Sequence, residues 1–405
     1  MDLNVLKQGE TDSTKQRTKV SGRLTSPRLK LGLSFFTFIL VGANDGAVGV
    51  LLPSIMKQYA VNESTIGLLF LASTCGYLIA SFNVGTLMEK FGSWQTLLLG
   101  IVLFLLGTGT LILQPPFTIL PAAYFFIGMG VAIIDPGLNI YIASLPQNTA
   151  LLNYLHGFYG IGALLGPIIA SALLALSFGW NSIYVFWFAV ALLLLASFSI
   201  IFRDWRQTQA SDGEKGQKST LSIILRSRYV WIAAIFMLFY VGGEVTLGNW
   251  SYSLLTQDRH GLALISGWIV SGYWLGLTLG RLLLGSVAKQ IGDKRMIQFC
   301  LLGTVVGLVI TWVAPVAAIS AIGLFITGFS LGPIFPTTIA VTSRTLPSRI
   351  LASSIGFIVS LGSMGAAFFP WIMGNLAQHI GLWSLLPFCI LIALTQLGLW
   401  RALQE

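Results

Sequence analysis

Gly85-Thr86-Leu87-Met88-Glu89-Lys90-Phe91-Gly92 stands between two long apolar runs, and 200 residues later Gly285-Ser286-Val287-Ala288-Lys289-Gln290-Ile291-Gly292 stands between two more. Gly128, Pro136 and Gly162 return at the same offset as Gly328, Pro336 and Gly362. Self-similarity at a fixed offset signals a duplicated structural unit. The apolar runs around these octapeptides identify that unit. Crossing about 30 Å of hydrocarbon takes roughly 20 apolar residues in a helix. Twelve stretches qualify: residues 31–56, 64–87, 94–113, 118–143, 152–176, 181–201, 229–254, 264–288, 295–314, 318–343, 349–374 and 382–401. Each repeat thus holds six spans, and an even number gives both repeats the same orientation about an axis along the membrane normal. The expected fold is an all-α membrane protein of twelve transmembrane helices in two parallel six-helix repeats. Its parts are a basic tail (1–30), an N-terminal bundle (31–201), a linker (202–228), a C-terminal bundle (229–401) and a short tail (402–405).

Composition agrees with lipid as the solvent. Of the 405 residues, 55% are hydrophobic and 9% charged, against roughly 25% charged in a soluble domain. Cys75, Cys300 and Cys389 all lie in apolar runs, where a thiol packs as a small hydrophobe. The formal charge of +9 calls for no nucleic-acid partner, because the basic residues are sorted by loop. All but Lys57 and Arg259 of the 23 fall on the side of the termini, which the positive-inside rule makes cytoplasmic. A multi-pass protein of the plasma (inner) membrane, functional as a monomer, is the expectation. Residues 1–30 are polar and basic and the first apolar run is too long for a signal h-region, so no short cleavable signal peptide is expected. There is no GxxxxGK[ST] loop, HExxH, CxxC or nucleophile elbow, so neither enzymatic chemistry nor a cofactor or metal is expected.

The six-plus-six plan, the central linker and the paired loops resemble the major facilitator superfamily of secondary transporters, over essentially all of the chain beyond residue 30. The family's loop signature is a glycine, three residues, an acid, a base, one residue, a glycine and then basic residues. The first copy has Gly85, Glu89, Lys90 and Gly92 but continues Ser93-Trp94-Gln95; the second has Gly285, Gly292 and the basics Lys294 and Arg295 but lacks the acid. The resemblance implies a conformational role for these residues. Arg281, at the end of the eighth span, is expected to snorkel structurally toward the aqueous face.

Three of the fourteen acidic residues lie well inside spans: Asp45, Asp135 and Glu244. A mid-helix charge costs roughly 2.5–3.5 kcal/mol on insertion scales and marks an ion or substrate path. Asp45 is about 20 Å into its span, too deep for a helix cap. A buried carboxyl that changes protonation can load a proton on one side and release it on the other. The three acids fall on the first, fourth and seventh spans, which the resemblance implies line a central cavity. They are the candidate proton-coupling groups.

Asn44 precedes Asp45, Asn139 lies one turn beyond Asp135, and Asn153 lies one turn before His156. Amides donate and accept, as a polyhydroxyl ligand requires. Trp250, Tyr273 and Trp274 offer aromatic faces for a sugar, although such residues also anchor membrane interfaces. The set Asn44, Asn139, Asn153, His156, Trp250, Tyr273 and Trp274 is the candidate substrate site. Gly42-Ala43-Asn44-Asp45-Gly46, Asp135 to Asn139, Asn153 to Phe158, Gly243-Glu244 and Tyr273-Trp274 are similar to the fucose and glucose/mannose:proton symporter branch. That similarity implies sugar binding and proton coupling at Asn44, Asp45 and Asp135. Gly162 to Pro167 also partly matches a fifth-span pattern of drug:proton antiporters. The expected function is proton-coupled symport of a sugar or sugar-like polar solute, with efflux antiport or a non-transporting receptor as alternatives.

Overall fold

A computed structural model describes residues 27–145, 148–203, 224–313 and 316–404; the side-chain surroundings of 148–150, 285–289, 348 and 352 are outside that description. Among the described residues the chain is helical, with no strand. Among the described residues twelve helices are long and apolar enough to span a membrane. We number them α1 Pro27–Tyr59, α2 Glu63–Phe91, α3 Ser93–Ile112, α4 Phe117–Ala143, α5 Asn148–Ala175 and α6 Ser182–Ile201. The rest are α7 Arg228–Asp258, α8 Ala263–Ile291, α9 Asp293–Val313, α10 Ala317–Thr345, α11 Ser348–His379 and α12 Leu382–Ala402. The expected tail lies outside the described residues up to position 26, as does most of the expected linker, 204–223.

Helices are forced here because hydrocarbon offers backbone groups no partner. Several buried hydroxyls bond back one turn: Thr108 donates to the Phe104 carbonyl and Thr311 to that of Gly307, both at 2.8 Å. The spans run a little past the apolar runs that define them. Helix α1 starts at Pro27, and α2 opens with a separate turn, Glu63–Ile66, that Asn62 caps by accepting from the Thr65 N–H at 2.9 Å. Helix α10 breaks after Leu331 and resumes at Ile334, because Pro333 supplies no N–H to the ladder.

Packing repeats with a six-helix shift. Helix α1 lies on α5, α2 on α4, and α3 on α4 and α6; α7 lies on α11, α8 on α10, and α9 on α10 and α12. Close backbone approach at small residues drives these contacts in the absence of a hydrophobic force between helices. A Cβ on Gly128 would land on the Ser73 carbonyl oxygen, and one on Gly328 would land on the Tyr273 carbonyl oxygen. This duplicated pair of glycines therefore serves a duplicated crossing. Gly42 and Gly46 of α1 meet Tyr159 and Ala163 of α5 in the same way.

The two octapeptides that define the repeat end α2 and α8. Gly92 and Gly292 take φ of +89° and +84°, a region that side-chain-bearing residues avoid. Across the halves, α5 packs on α8, α2 on α11 and α1 on α7.

Candidate functional site

Asp45 sits near the middle of α1, about 27 Å from Pro27 and about 21 Å from Tyr59 along the axis. Its Oδ2 accepts from the Tyr159 hydroxyl of α5 at 3.0 Å, and its Oδ1 accepts from Asn44 Nδ2 at 3.2 Å. The glycine seam between α1 and α5 brings these residues together, since Gly42 lies against Tyr159 itself. Asp135 of α4 is held by Asn139 of the next turn, whose Nδ2 lies 2.6 Å from Oδ1 and 2.9 Å from the Asp135 carbonyl oxygen. Both carboxylates are half-buried. They lie within electrostatic reach of each other and of Tyr77 on α2. Among the described residues neither has a basic partner at ion-pair distance.

Glu244 is different. Its Oε1 lies 3.1 Å and its Oε2 3.5 Å from Arg281 Nη2, and Tyr240 stands beside the pair. This corrects the expected disposition of Arg281. Helix α8 continues to Ile291, so Arg281 is about 15 Å short of its end, and the guanidinium turns inward to Glu244. The ion pair also faces the other half: Arg281 is within electrostatic reach of His156 and Tyr159 on α5.

The expected substrate residues separate into three groups. Asn153 and His156 are exposed, the latter edge-on to Phe38 with centroids 5.8 Å apart. Asn44 and Asn139 are committed to the two aspartates. The aromatic trio does not offer the open faces expected of it. Trp250 is fully buried, donates to the Pro370 carbonyl at 3.0 Å and meets Phe70 across the halves at 6.5 Å. Tyr273 is fully buried and donates to the Glu244 carbonyl at 2.9 Å, and Trp274 lies over Gly248. Their rings are taken up by packing within the second half, and Trp250 packs also on the first half toward the face away from the termini.

That distal face holds further contacts between the halves. Ser64 of α2 donates to Asn375 Oδ1 of α11 at 2.9 Å, Gly374 lies on the Glu63 carbonyl, and Gly49 lies on Asn249. At the terminus face, Gly85 of α2, Gly157 of α5 and Gly356 of α11 have open space where a Cβ would stand. Glu89 and Lys90 of the loop motif are exposed there. Gly285 lies in α8, but its surroundings are outside the described residues. In the second half Asp293 and Arg344 form an ion pair at 2.5 Å between the start of α9 and the end of α10.

Tyr159, Tyr77 and Tyr240 were absent from the expected site. A weak signal exists for Tyr159, which is one turn from His156 on the same helix face. Among the described residues no group of three or more His, Cys, Asp or Glu side chains could hold a metal ion.

The profile of the Major Facilitator Superfamily matches residues 34–266 and 245–404. "Bypass of stop codon protein 6" of Saccharomyces cerevisiae is 25% identical over 433 residues, covering 97% of this chain and 86% of that protein. The glucose/mannose transporter GlcP of Bacillus subtilis is 21% identical over 375 residues, covering 88% of each. The crystal structure of a point mutant of the nucleoside transporter NupG superimposes with a TM-score of 0.81 at 11% identity, covering 93% of this chain and all of that one.

Proposed function

The chain belongs to the Major Facilitator Superfamily, and on that premise we propose that this multi-pass membrane transporter couples protons to the symport of a sugar or sugar-like polar solute. The observation that carries the reading is the pair Asp45 and Asp135. They share the interior with each other and with neutral hydrogen-bond donors, and with no basic partner among the described residues. Two such carboxylates repel in a water-poor space, and a bound proton relieves the repulsion. Proton occupancy thereby changes the energy of the site, which is the requirement for coupling. Glu244 is compensated by Arg281 in this conformation and is the weaker proton carrier of the three.

Asn153 and His156, exposed on the helix that carries Tyr159, are the polar groups assigned to read hydroxyls. A relative named a glucose/mannose transporter supports a hexose as the first solute to try. Alternating access is supported by the repeated six-helix packing and by the contacts between the halves at the distal face, through Ser64, Asn375 and Trp250. In the proposed reading the two six-helix bundles rock as units, both termini are cytoplasmic, the host is the plasma membrane, and a monomer suffices.

Vesicles containing the protein, given labelled hexoses under an imposed pH gradient, test this. Accumulation above equilibrium that collapses with a protonophore is the expected result. Accumulation that follows a sodium gradient instead, or expulsion of a cationic dye with no hexose uptake, would overturn it.

A further inference from the structure

We propose that Glu244 is a specificity-determining residue: by occupying Arg281 it makes the site select neutral polyols and reject solutes that carry a carboxylate. The proposal deepens the sugar reading above and rests on it for the choice of solute. Arg281 is the one Lys or Arg among the described residues that lies well inside a span rather than near its end. Its side chain is 31% exposed, against 12% for Glu244. Arg281 is therefore the more exposed member of the pair, and its Nε is buried without a hydrogen-bond partner. It is also within electrostatic reach of His156 and Tyr159 on the opposite half, so it faces the space between the bundles.

An anionic solute entering that space meets Asp45 and Asp135, which repel it. The one fixed cation among the described residues that it could pair with there already has Glu244 at 3.1 Å. Displacing Glu244 would leave a carboxylate unpaired and sheltered from water, which costs more than a surface ion pair returns. A neutral diol needs no such exchange. It can accept from guanidinium N–H groups other than the Nη2 that holds Glu244, and leave the ion pair intact. Selection against charge is thus achieved by satisfying the attractive group internally.

Removing the Glu244 charge while keeping its size tests the idea. Purified wild type, Glu244→Gln, Glu244→Asp and the double variant Glu244→Gln/Arg281→Gln would be compared by thermal stabilisation with D-glucose, D-glucuronate and acetate. The expected result is that Glu244→Gln alone gains stabilisation by glucuronate and acetate. Its apparent affinity should rise at least about tenfold, the scale of one charge-assisted hydrogen bond. Glu244→Asp should behave as wild type, and the double variant should lose the gain. Wild type stabilised by glucuronate as well as by glucose, or a folded Glu244→Gln with unchanged selectivity, would overturn the proposal. Failure of the sugar reading shows separately, as no response of wild type to glucose; the acetate comparison still decides the role of Glu244, because acetate needs only a free guanidinium.

Discussion

Tyr159 and Asp45 meet at 3.0 Å across the α1–α5 seam, with the phenol donating to Oδ2. A donor aimed at a carboxylate stabilises its ionised form. The same tyrosine is within electrostatic reach of Glu244 and Arg281, so it joins the aspartate cluster to the ion pair of the other half.

Tyr159→Phe removes that donor with little change of shape. The protonated aspartate is then favoured to higher pH, because only the charged form loses a partner. The alkaline limb of gradient-driven uptake should move upward, on the order of one pH unit for a hydrogen bond of about 1.5 kcal/mol. A pH profile of initial rates checks the direction.

Gly128 and Gly328 rest on the carbonyl oxygens of Ser73 and Tyr273. Gly128→Leu and Gly328→Leu should each destabilise the folded protein by about 1–3 kcal/mol or more, through helix displacement at an overpacked crossing. Gly272 has nothing within 4 Å of a Cβ, and Gly272→Ala should be neutral or slightly stabilising. Thermal unfolding in detergent separates the three.

Gly92, with φ +89° and ψ 155°, occupies backbone space close to glycine-only. Gly92→Ala should therefore cost about 1–3 kcal/mol even though the residue is at a helix end. A loss of stability comparable to that of a buried substitution, measured by thermal unfolding, is the expected outcome.

Ser64 and Asn375 close the distal face at 2.9 Å. With Cys75, Cys300 and Cys389 replaced by serine or alanine, Ser64→Cys/Asn375→Cys should cross-link with a short bifunctional thiol reagent and arrest transport. Solute present on the distal side should slow the reaction if the two faces open in turn.

The sequence disclosed the spans and the duplication because each rests on a local physical demand. Lipid requires long apolar runs, and the repeated Gly128 and Gly328 are positions where helix backbones touch. Pairings between helices were less legible. Nothing local aims Arg281 at Glu244, 37 residues away, and an Arg near the end of an apolar run reads as a snorkelling residue until α8 is seen to continue past it. Tyr159 reads as one more membrane tyrosine until the α1–α5 seam sets it on Asp45. Trp250, Tyr273 and Trp274 misled in the opposite sense, since an aromatic ring open to a solute and one sealed between helices have the same sequence signature.

The central claim is that Asp45 and Asp135 couple proton movement to solute movement. Its most direct test compares Asp45→Asn and Asp135→Asn with wild type in proteoliposomes, measuring labelled hexose accumulation under an imposed pH gradient beside equilibrium exchange with no gradient. The account predicts that at least one variant exchanges solute at near wild-type rates but no longer accumulates it above equilibrium. Accumulation of the solute by both variants as strongly as by wild type would contradict it.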